Sequence, residues 1–199
     1  MPPRIGIVSV QGDFDAHRQA IEQVGGAAVL VRTPEAVAQC DGLVLPGGES
    51  TTIGKLLARY GIDRAIRHAA DQGVPIYGTC AGMILLAQRI TSGEKQGGQP
   101  TLGLMNIGVA RNAWGRQADS FEADIDAPDV ADSPVRGVFI RAPYISEAGP
   151  EVEVLARCDG HIVLARQNNL LASAFHPELT GDMRVHRYFV GMAQTARRP

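Results

Sequence analysis

Residues 74–87 read VPIYGTCAGMILLA, an apolar strand-like run that turns through small residues into a helix-like run. Gly78 and Gly82 flank Cys80 and allow the backbone to turn tightly there, as in the G-x-S-x-G elbow of serine hydrolases. Such a turn is where an α/β enzyme places a nucleophile, with its side chain pointing outward. The segment therefore predicts an α/β fold and a nucleophilic Cys80; the alternative is an inert core cysteine.

Short apolar strands alternate with helical stretches along the first half of the chain. We expect strands at 4–10, 27–32, 42–45 and 74–77, and helices at 53–60, at 62–72 and after an Asp13 cap. This alternation is typical of parallel βαβ units, which bind ligands beyond the carboxyl ends of their strands. Gly12, Gly47 and Cys80 all follow predicted strand ends, so we expect them to line one crevice.

Beyond Ile90 the pattern changes. Residues 91–101 are rich in glycine and polar residues and predict a surface loop. Strands are expected at 120–125, 137–141, 151–158 and 161–167, the last two joined by Asp159-Gly160, a strong hairpin signal, and a final helix at 181–196. We therefore predict one domain, 1–199, built as a three-layer α/β sandwich around a mostly parallel sheet, with added antiparallel strands in the C-terminal half.

A second candidate catalytic segment lies near the C-terminus, where an apolar strand from Leu170 ends in His176-Pro177-Glu178. In an extended segment residues i and i+2 share a face, so Glu178 can bond one ring nitrogen of His176 and leave the other to act on a thiol. The alternative is that Pro177 and Glu178 simply begin the last helix. Cys80, His176 and Glu178 together would supply nucleophile, base and orienting acid.

A third candidate segment, LVLPGGESTT at 43–52, is a buried-looking strand that runs into two glycines. The Walker A pattern does not fit, because Leu56 follows Lys55 where a serine or threonine is required. The N–H groups of Gly47 and Gly48, with that of Ala81, can instead stabilise an oxyanion. The alternative is a plain strand-to-helix turn with Ser50 or Thr51 as N-cap.

Composition narrows the class of protein. The chain has 199 residues, 45% of them hydrophobic, which is enough for one sizeable core. A net charge of -2 without an extended basic run argues against a nucleic-acid surface. No stretch reaches membrane-span length and none reads as a signal peptide, so a cytoplasmic location is expected.

Three cysteines without metal-ligand spacing predict reduced thiols and no metal site. His17 and His186 are expected to be structural helix residues.

Seven segments in order resemble a class I, triad-type glutamine amidotransferase, a flavodoxin-like fold, and most closely the glutaminase subunit of the two-subunit pyridoxal 5'-phosphate synthase. They are Gln11-Gly12, the segment 46–52, the segment 78–82, Arg111-Asn112 with 115–117, the segment 119–122, the segment 137–143 and the segment 175–179. Most other class I members carry glutamine four residues after the nucleophile, where this chain has Ile84. Asp13-Phe14 after Gln11-Gly12 also departs from the family, which expects a small residue first.

The resemblance assigns roles residue by residue. It implies Cys80 as nucleophile, His176 as general base and acid, and Glu178 as the orienting carboxylate. It also implies that glutamine is held by Gly48, Glu49, Ser50, Arg111, Ile140 and Arg141. A guanidinium can grip an α-carboxylate with two parallel hydrogen bonds, so one of the two arginines is expected to do so.

The implied activity is hydrolysis of L-glutamine to glutamate and ammonia through a cysteine thioester, with no metal or organic cofactor. The implied partner is the synthase subunit, a (β/α)8-barrel protein that uses the ammonia to build pyridoxal 5'-phosphate and activates the glutaminase. Two alternatives remain open at this point. One is a stand-alone cysteine amidohydrolase or peptidase on the same scaffold, and the other is a non-catalytic regulatory module.

Overall fold

The computed structural model describes residues 1–93, 98–111 and 120–196. Within these ranges the helices are α1 (Phe14–Gln23), α2 (Pro34–Val37), α3 (Ser50–Arg59), α4 (Ile62–Asp71), α5 (Ala81–Leu86) and α6 (Arg184–Ala196). The strands are β1 (Arg4–Val8), β2 (Ala27–Val31), β3 (Gly42–Leu45), β4 (Ile76–Thr79), β5 (Ala87–Ser92), β6 (Met105–Ala110), β7 (Ser120–Ile125), β8 (Val135–Ile140), β9 (Tyr144–Ala148), β10 (Glu153–Cys158), β11 (His161–Gln167) and β12 (Leu170–Ser173). A 3-10 turn, Pro177–Leu179, follows β12.

The central sheet has the strand order β2-β1-β3-β4-β12-β11-β9-β6-β5, with β10 paired to β11. The first five strands in that order are parallel to one another, whereas β11 is antiparallel to β12, β9 and β10. Strands β7 and β8 form a separate antiparallel ribbon. The predicted fold class, a mostly parallel sheet with added antiparallel strands, is confirmed.

Strand β4 separates two groups of helices. Tyr77 packs toward Phe189 of α6 and His17 of α1, while its neighbour Gly78 lies against Gly82 and Leu86 of α5. Because successive residues of a strand point to opposite faces, α1 and α6 cover one face and α5 the other. The buried apolar core fills both spaces between sheet and helices. This sandwich brings the carboxyl ends of β1, β3, β4 and β12 to one edge.

Several predicted elements are confirmed with small shifts. Asp13 caps α1, its carboxylate accepting the backbone N–H of Ala16. Asp159 and Gly160 both have positive φ, 47° and 81°, in the β10–β11 hairpin. The final helix begins at Arg184 instead of residue 181. Strands β5, β6 and β9 were not predicted, and β5 continues through Ser92, so the expected loop at 91–101 begins too early.

None of the described helices is both long and apolar enough to span a bilayer. All three cysteines, at 40, 80 and 158, are unpaired. In the part of the chain that the structure describes, no cluster of three or more His, Cys, Asp or Glu side chains is arranged to hold a metal ion.

Candidate active site

The turn at Cys80 has the tight geometry that its flanking glycines predict. Cys80 lies between β4 and α5 with φ 49° and ψ −101°, in a region that residues with a Cβ seldom adopt. A Cβ at Gly82 would lie 2.0 Å from the carbonyl oxygen of Leu45, and one at Gly78 would lie 2.5 Å from the backbone of Gly82. The Cys80 N–H donates to the Ser173 carbonyl at 2.8 Å. Glycine is therefore required on both sides of Cys80.

His176 and Glu178 reach the same edge from β12. The two side chains are in contact, with His176 Nδ1 and Glu178 Oε1 2.7 Å apart, and both residues are buried, at 9% and 7% exposure. The His176 N–H donates to the Val138 carbonyl at 2.8 Å, which ties this loop to β8. The contact between i and i+2 was predicted for an extended segment, but Glu178 lies in the 3-10 turn. Pro177 and Glu178 do not begin the last helix.

Two opposing effects set the pKa values of His176 and Glu178. Burial disfavours the charged form of each side chain, and contacts with nearby side chains favour it. Burial lowers the pKa of His176, but its hydrogen bonds with the side chains of Cys80 and Glu178 outweigh that effect and raise the pKa to about 10. Burial raises the pKa of Glu178, but interactions with His17 and His176 outweigh it and hold that pKa well below its usual range. The arrangement thus favours a protonated His176 beside an ionised Glu178. Both Cys80 and Glu178 therefore act on the His176 ring.

The loop after β3 faces the cysteine. Gly48 has φ 149°, and a Cβ there would lie 2.7 Å from Gln11 Oε1. That oxygen accepts the Glu49 N–H at 3.0 Å. Of the predicted oxyanion donors, Gly48 and Ala81 line the cavity beside Cys80, whereas Gly47 lies against the His176 ring, since a Cβ there would be 2.4 Å from Cε1.

Glu49, not Ser50 or Thr51, is the N-cap of α3. Its carboxylate accepts the backbone N–H groups of Thr51 and Thr52 at 3.3 and 2.8 Å. Two acceptor oxygens allow it to serve both orphan donors of the first turn. The alternative interpretation of this segment, with Ser50 or Thr51 as the N-cap, is therefore wrong.

A cavity of about 270 Å³ opens next to the cysteine. It is lined by Gly48, Glu49, Ser50, Cys80, Ala81, Ile84, Arg111, Ile140, Arg141 and Pro143. All six residues predicted to hold substrate are therefore on one surface, and their roles stay a prediction. Ile84 and Pro143 were not predicted there.

The two arginines of the cavity differ in their surroundings. Arg111 is buried, lies 3.7 Å from Glu49 Oε1 and donates to the Gln99 side chain. Arg141 is exposed and has a positive φ of 42°. Asn112, the segment 115–117 and Asp119, which also carried the resemblance, lie outside the described residues.

A larger depression, of about 940 Å³, lies at the opposite edge of the sheet. It is lined by residues that precede β4 and β12, such as Pro75 and Asn169, and by the outer side of α6. No member of the Cys80, His176 and Glu178 set lines it. The smaller cavity, which Cys80 lines, is therefore the candidate active site.

Comparison with known proteins gives consistent matches over nearly the whole chain. The model of the SNO glutamine amidotransferase family matches residues 7–195. Pyridoxal 5'-phosphate synthase subunit PdxT of Carboxydothermus hydrogenoformans is 53% identical, covering 94% of this chain and 96% of the relative. The same-named subunit of Pelotomaculum thermopropionicum is 54% identical, covering 94% and 93%. A solved structure described as a glutamine amidotransferase superimposes with a TM-score of 0.89 at 46% identity, covering 96% of this chain and 98% of that one.

Proposed function

The chain belongs to the SNO glutamine amidotransferase family, and we propose that it is the glutaminase subunit of a pyridoxal 5'-phosphate synthase. It hydrolyses L-glutamine to glutamate and ammonia with Cys80, His176 and Glu178 as its catalytic residues. The observation that carries the proposal is the convergence of these three side chains beside a cavity lined by two arginines. Relatives more than 50% identical over nearly full length carry the name of that subunit.

The first half-reaction joins Cys80 to the substrate and releases ammonia. The Cys80 thiolate attacks the side-chain carboxamide carbon of glutamine, and a C–S bond forms as the carbonyl becomes an oxyanion. Backbone N–H groups near Gly48 and Ala81 stabilise that oxyanion. His176, protonated and held by Glu178, gives its proton to the departing nitrogen, so the C–N bond breaks and ammonia leaves. The product on the enzyme is a glutamyl thioester.

The second half-reaction uses the same histidine in the other direction. His176, now neutral, takes a proton from water as the water oxygen attacks the thioester carbon. The C–S bond breaks, glutamate forms and Cys80 leaves as thiolate beside a protonated His176. Glu178 stabilises the imidazolium in both half-reactions and fixes the ring so that Nε2 faces the sulfur.

Substrate selection rests on the small size and the charge of the cavity. A free amino acid presents an α-carboxylate and an α-ammonium, which Arg111 or Arg141 and Glu49 complement. A peptide would need an open groove through the site, and the cavity of about 270 Å³ favours a free amino acid. This observation weighs against a peptidase on the same scaffold.

The acceptor of the ammonia is a second protein. Ammonia released into water is lost as ammonium, so the glutaminase works beside the enzyme that consumes it. The partner is the synthase subunit, a (β/α)8 barrel as the family resemblance implies. We infer that it activates glutamine hydrolysis by acting on the loop after β3 or on the Gln11-Gly12 loop.

The test is glutamate release from glutamine by the complex with a candidate synthase. We expect Cys80→Ala to lower turnover by roughly 10⁶-fold, the scale for loss of a catalytic nucleophile. Cys158→Ala is the matched control and should keep wild-type turnover, because Cys158 lies on β10 away from the cavity. Full activity in the Cys80→Ala complex would refute the assignment.

A second measurement separates hydrolysis from coenzyme synthesis. The complex is given glutamine with a pentose phosphate and a triose phosphate, and pyridoxal 5'-phosphate is followed by its absorbance. Glutamine-dependent formation supports the synthase role. Glutamine hydrolysis without coenzyme formation would favour a stand-alone amidohydrolase, and failure of a thiol-reactive glutamine analogue to label Cys80 would favour a non-catalytic module.

A further inference from the structure

A cluster of buried polar side chains lies behind Glu178, on the side away from the cavity. His17 of α1 and His186 of α6 are both fully buried, at 0% exposure, and Thr79 at the end of β4 is equally buried. The two histidine rings and Tyr77 pack on one another, with centroids 5.3 to 6.4 Å apart. Both were predicted to be structural helix residues, but their mutual contact and the contact of His17 with Glu178 were not predicted.

His17 joins this cluster to the catalytic carboxylate. Its Nε2 lies 3.3 Å from Glu178 Oε1 and 3.1 Å from Thr79 Oγ1. Its Nδ1 lies 3.1 Å from Nε2 of His186. Glu178 Oε1 is therefore shared by two imidazoles, His176 on the cavity side and His17 on the core side.

The hydrogen-bond pattern determines which ring nitrogens carry protons. An ionised carboxylate only accepts, so His17 Nε2–H is the donor and His17 Nδ1 is left to accept from His186 Nε2–H. His186 Nδ1 is then a bare acceptor, and it is buried with no partner among the described residues. The opposite assignment would leave a buried N–H there without an acceptor. Burial is the largest cause that lowers the pKa of His186, to about 3, in keeping with a neutral ring.

The second carboxylate oxygen of Glu178, Oε2, does not help to orient the side chain, so its orientation depends on the partners of Oε1. Oε2 is buried and has no hydrogen-bond partner within the described ranges. The described contacts of the Glu178 side chain, a hydrogen bond with His176 and an ion pair with His17, therefore both meet at Oε1. Without the core-side contact from His17, His176 is left as the one described partner that orients the carboxylate.

We propose that His17 is a positioning residue of the reaction, holding Oε1 of Glu178 from the core side so that the carboxylate stays aligned with His176. His186 in turn fixes the tautomer of His17. This inference rests on the proposed glutaminase function, in which Glu178 must stabilise the His176 imidazolium. It acts through Glu178 and touches neither glutamine nor Cys80.

Two amide substitutions separate the two contacts of His17. The amide of His17→Gln reaches the place of Nε2 and can still donate to Glu178, whereas that of His17→Asn reaches only the place of Nδ1 and keeps the contact with His186. His68→Asn, on the exposed side of α4, is the control for a histidine-to-amide change. Thermal melting verifies that each variant folds.

The first readout is glutamine hydrolysis by each variant in complex with the synthase. We expect His17→Asn to lower kcat roughly tenfold to a hundredfold, the range for loss of a residue that orients a site residue, with KM unchanged. His17→Gln should restore most of kcat. Equal kcat values for wild type, His17→Asn and His17→Gln would overturn the proposal, and so would equal losses in both variants.

The second readout needs no glutamine, so it tests the role of His17 even if the protein does not hydrolyse glutamine. Iodoacetamide alkylates Cys80, and we expect the rate to depend on how well His176 is held beside the sulfur. At pH 7 we expect alkylation to be roughly tenfold slower in His17→Asn and near wild type in His17→Gln. A wild-type complex that hydrolyses no glutamine contradicts the function alone. Unchanged alkylation in His17→Asn contradicts the role of His17 alone.

If His17→Asn does not fold, the proposal is tested by the tautomers of His17 and His186 in the wild-type protein. Long-range ¹H–¹⁵N spectra distinguish protonated from bare ring nitrogens. We expect protons on Nε2 of His17 and on Nε2 of His186. A proton on Nδ1 and none on Nε2 of His17 would overturn the proposal, because that ring could not donate to Glu178.

Discussion

The loops that follow β12 and β3 meet at Cys80 but are held in different ways. The β12 loop carries His176 and Glu178, both buried and joined by a charge-assisted hydrogen bond of 2.7 Å. In the β3 loop, the Glu49 N–H donates at 3.0 Å to Gln11, a side chain from yet another loop. The proposed acid–base pair is therefore held by the core, whereas the backbone of the proposed oxyanion segment is bonded to a neighbouring loop.

This difference indicates which part of the site a partner can adjust. A neutral hydrogen bond contributes about 1 kcal/mol, and bonds to charged groups contribute roughly twice that. A subunit that contacts the Gln11-Gly12 loop can shift the backbone at Gly48 by breaking the neutral bond between Gln11 and the Glu49 N–H, while the Glu49 carboxylate stays bound to the first turn of α3. Moving Glu178 would break contacts with two buried histidines. We therefore expect the β12 loop to be preformed in the isolated subunit and activation to act through the β3 loop.

The largest expected effect comes from a substitution in the β12 loop, which we expect to be preformed. Glu178→Gln keeps the size of the side chain but replaces one carboxylate oxygen by an amide group, which cannot stabilise a His176 imidazolium. We expect kcat for glutamine hydrolysis by the synthase complex to fall roughly 10⁴-fold, the cost of the equivalent Asp-to-Asn change in a serine protease triad. KM should change little, because Glu178 does not line the cavity.

The control for this change is Glu122→Gln on the exposed ribbon strand β7. It should keep wild-type kcat with the same net charge change. A Glu178→Gln complex with kcat within tenfold of wild type would mean that His176 does not depend on this carboxylate. The triad assignment would then have to be revised.

A smaller effect on kcat is expected from a substitution that removes support from the β3 loop. Gln11→Ala removes the acceptor for the Glu49 N–H, so the segment carrying Gly48 loses its support. Loss of one oxyanion donor outright costs about 10²–10³ in kcat. We expect roughly a tenfold loss in the synthase complex, since Gln11 acts on the donors indirectly. Steady-state glutamate release, with and without the synthase, measures both kcat and the degree of activation.

Gln11→Glu is the matched variant because it retains an acceptor oxygen at the same distance along the side chain. We expect it to keep more activity than Gln11→Ala in the complex. Gln23→Ala, on the exposed end of α1, controls for loss of a glutamine elsewhere. If Gln11→Ala left kcat and activation at wild-type values, the β3 loop would not depend on its neighbour, and the contrast between the loops would not hold.

The sequence predicts features that have local causes, and it does not predict contacts between residues that are distant along the chain. The turn at Cys80 is local, since Gly78 and Gly82 are needed by its own backbone contacts, and the spacing reveals it. Strands β5 and β9 were missed because one continues an apolar run that predicts helix and the other follows a polar, proline-containing turn. The contact of His17 with Glu178 joins residues that are distant in sequence, and no spacing rule predicts it.

The smallest effect tests how far the anchoring of the β12 loop extends. Asp182, beyond the 3-10 turn, accepts from Arg184 at 2.6 Å and from the Arg136 N–H at 3.0 Å. The bond with Arg184 outweighs partial burial, and with the backbone N–H groups of Arg136 and Arg184 it lowers the pKa of Asp182 from 3.8 to about 2. Because the folded-state pKa is depressed, the stabilisation is complete above pH 3.8 and is lost as pH falls through about 2.

Asp182→Asn should therefore destabilise the fold by about 1 kcal/mol or less at neutral pH, a small value because the pair is only partly buried and stays in contact with water. The difference from wild type should shrink as pH falls below the ordinary pKa of 3.8. Urea unfolding at neutral and acidic pH measures it, with Asp129→Asn on the exposed surface as control. Since kcat depends on the nearer contacts of Glu178, it should stay within about twofold of wild type. A large loss of kcat without loss of stability would show that the preformed region extends past the turn to the start of α6.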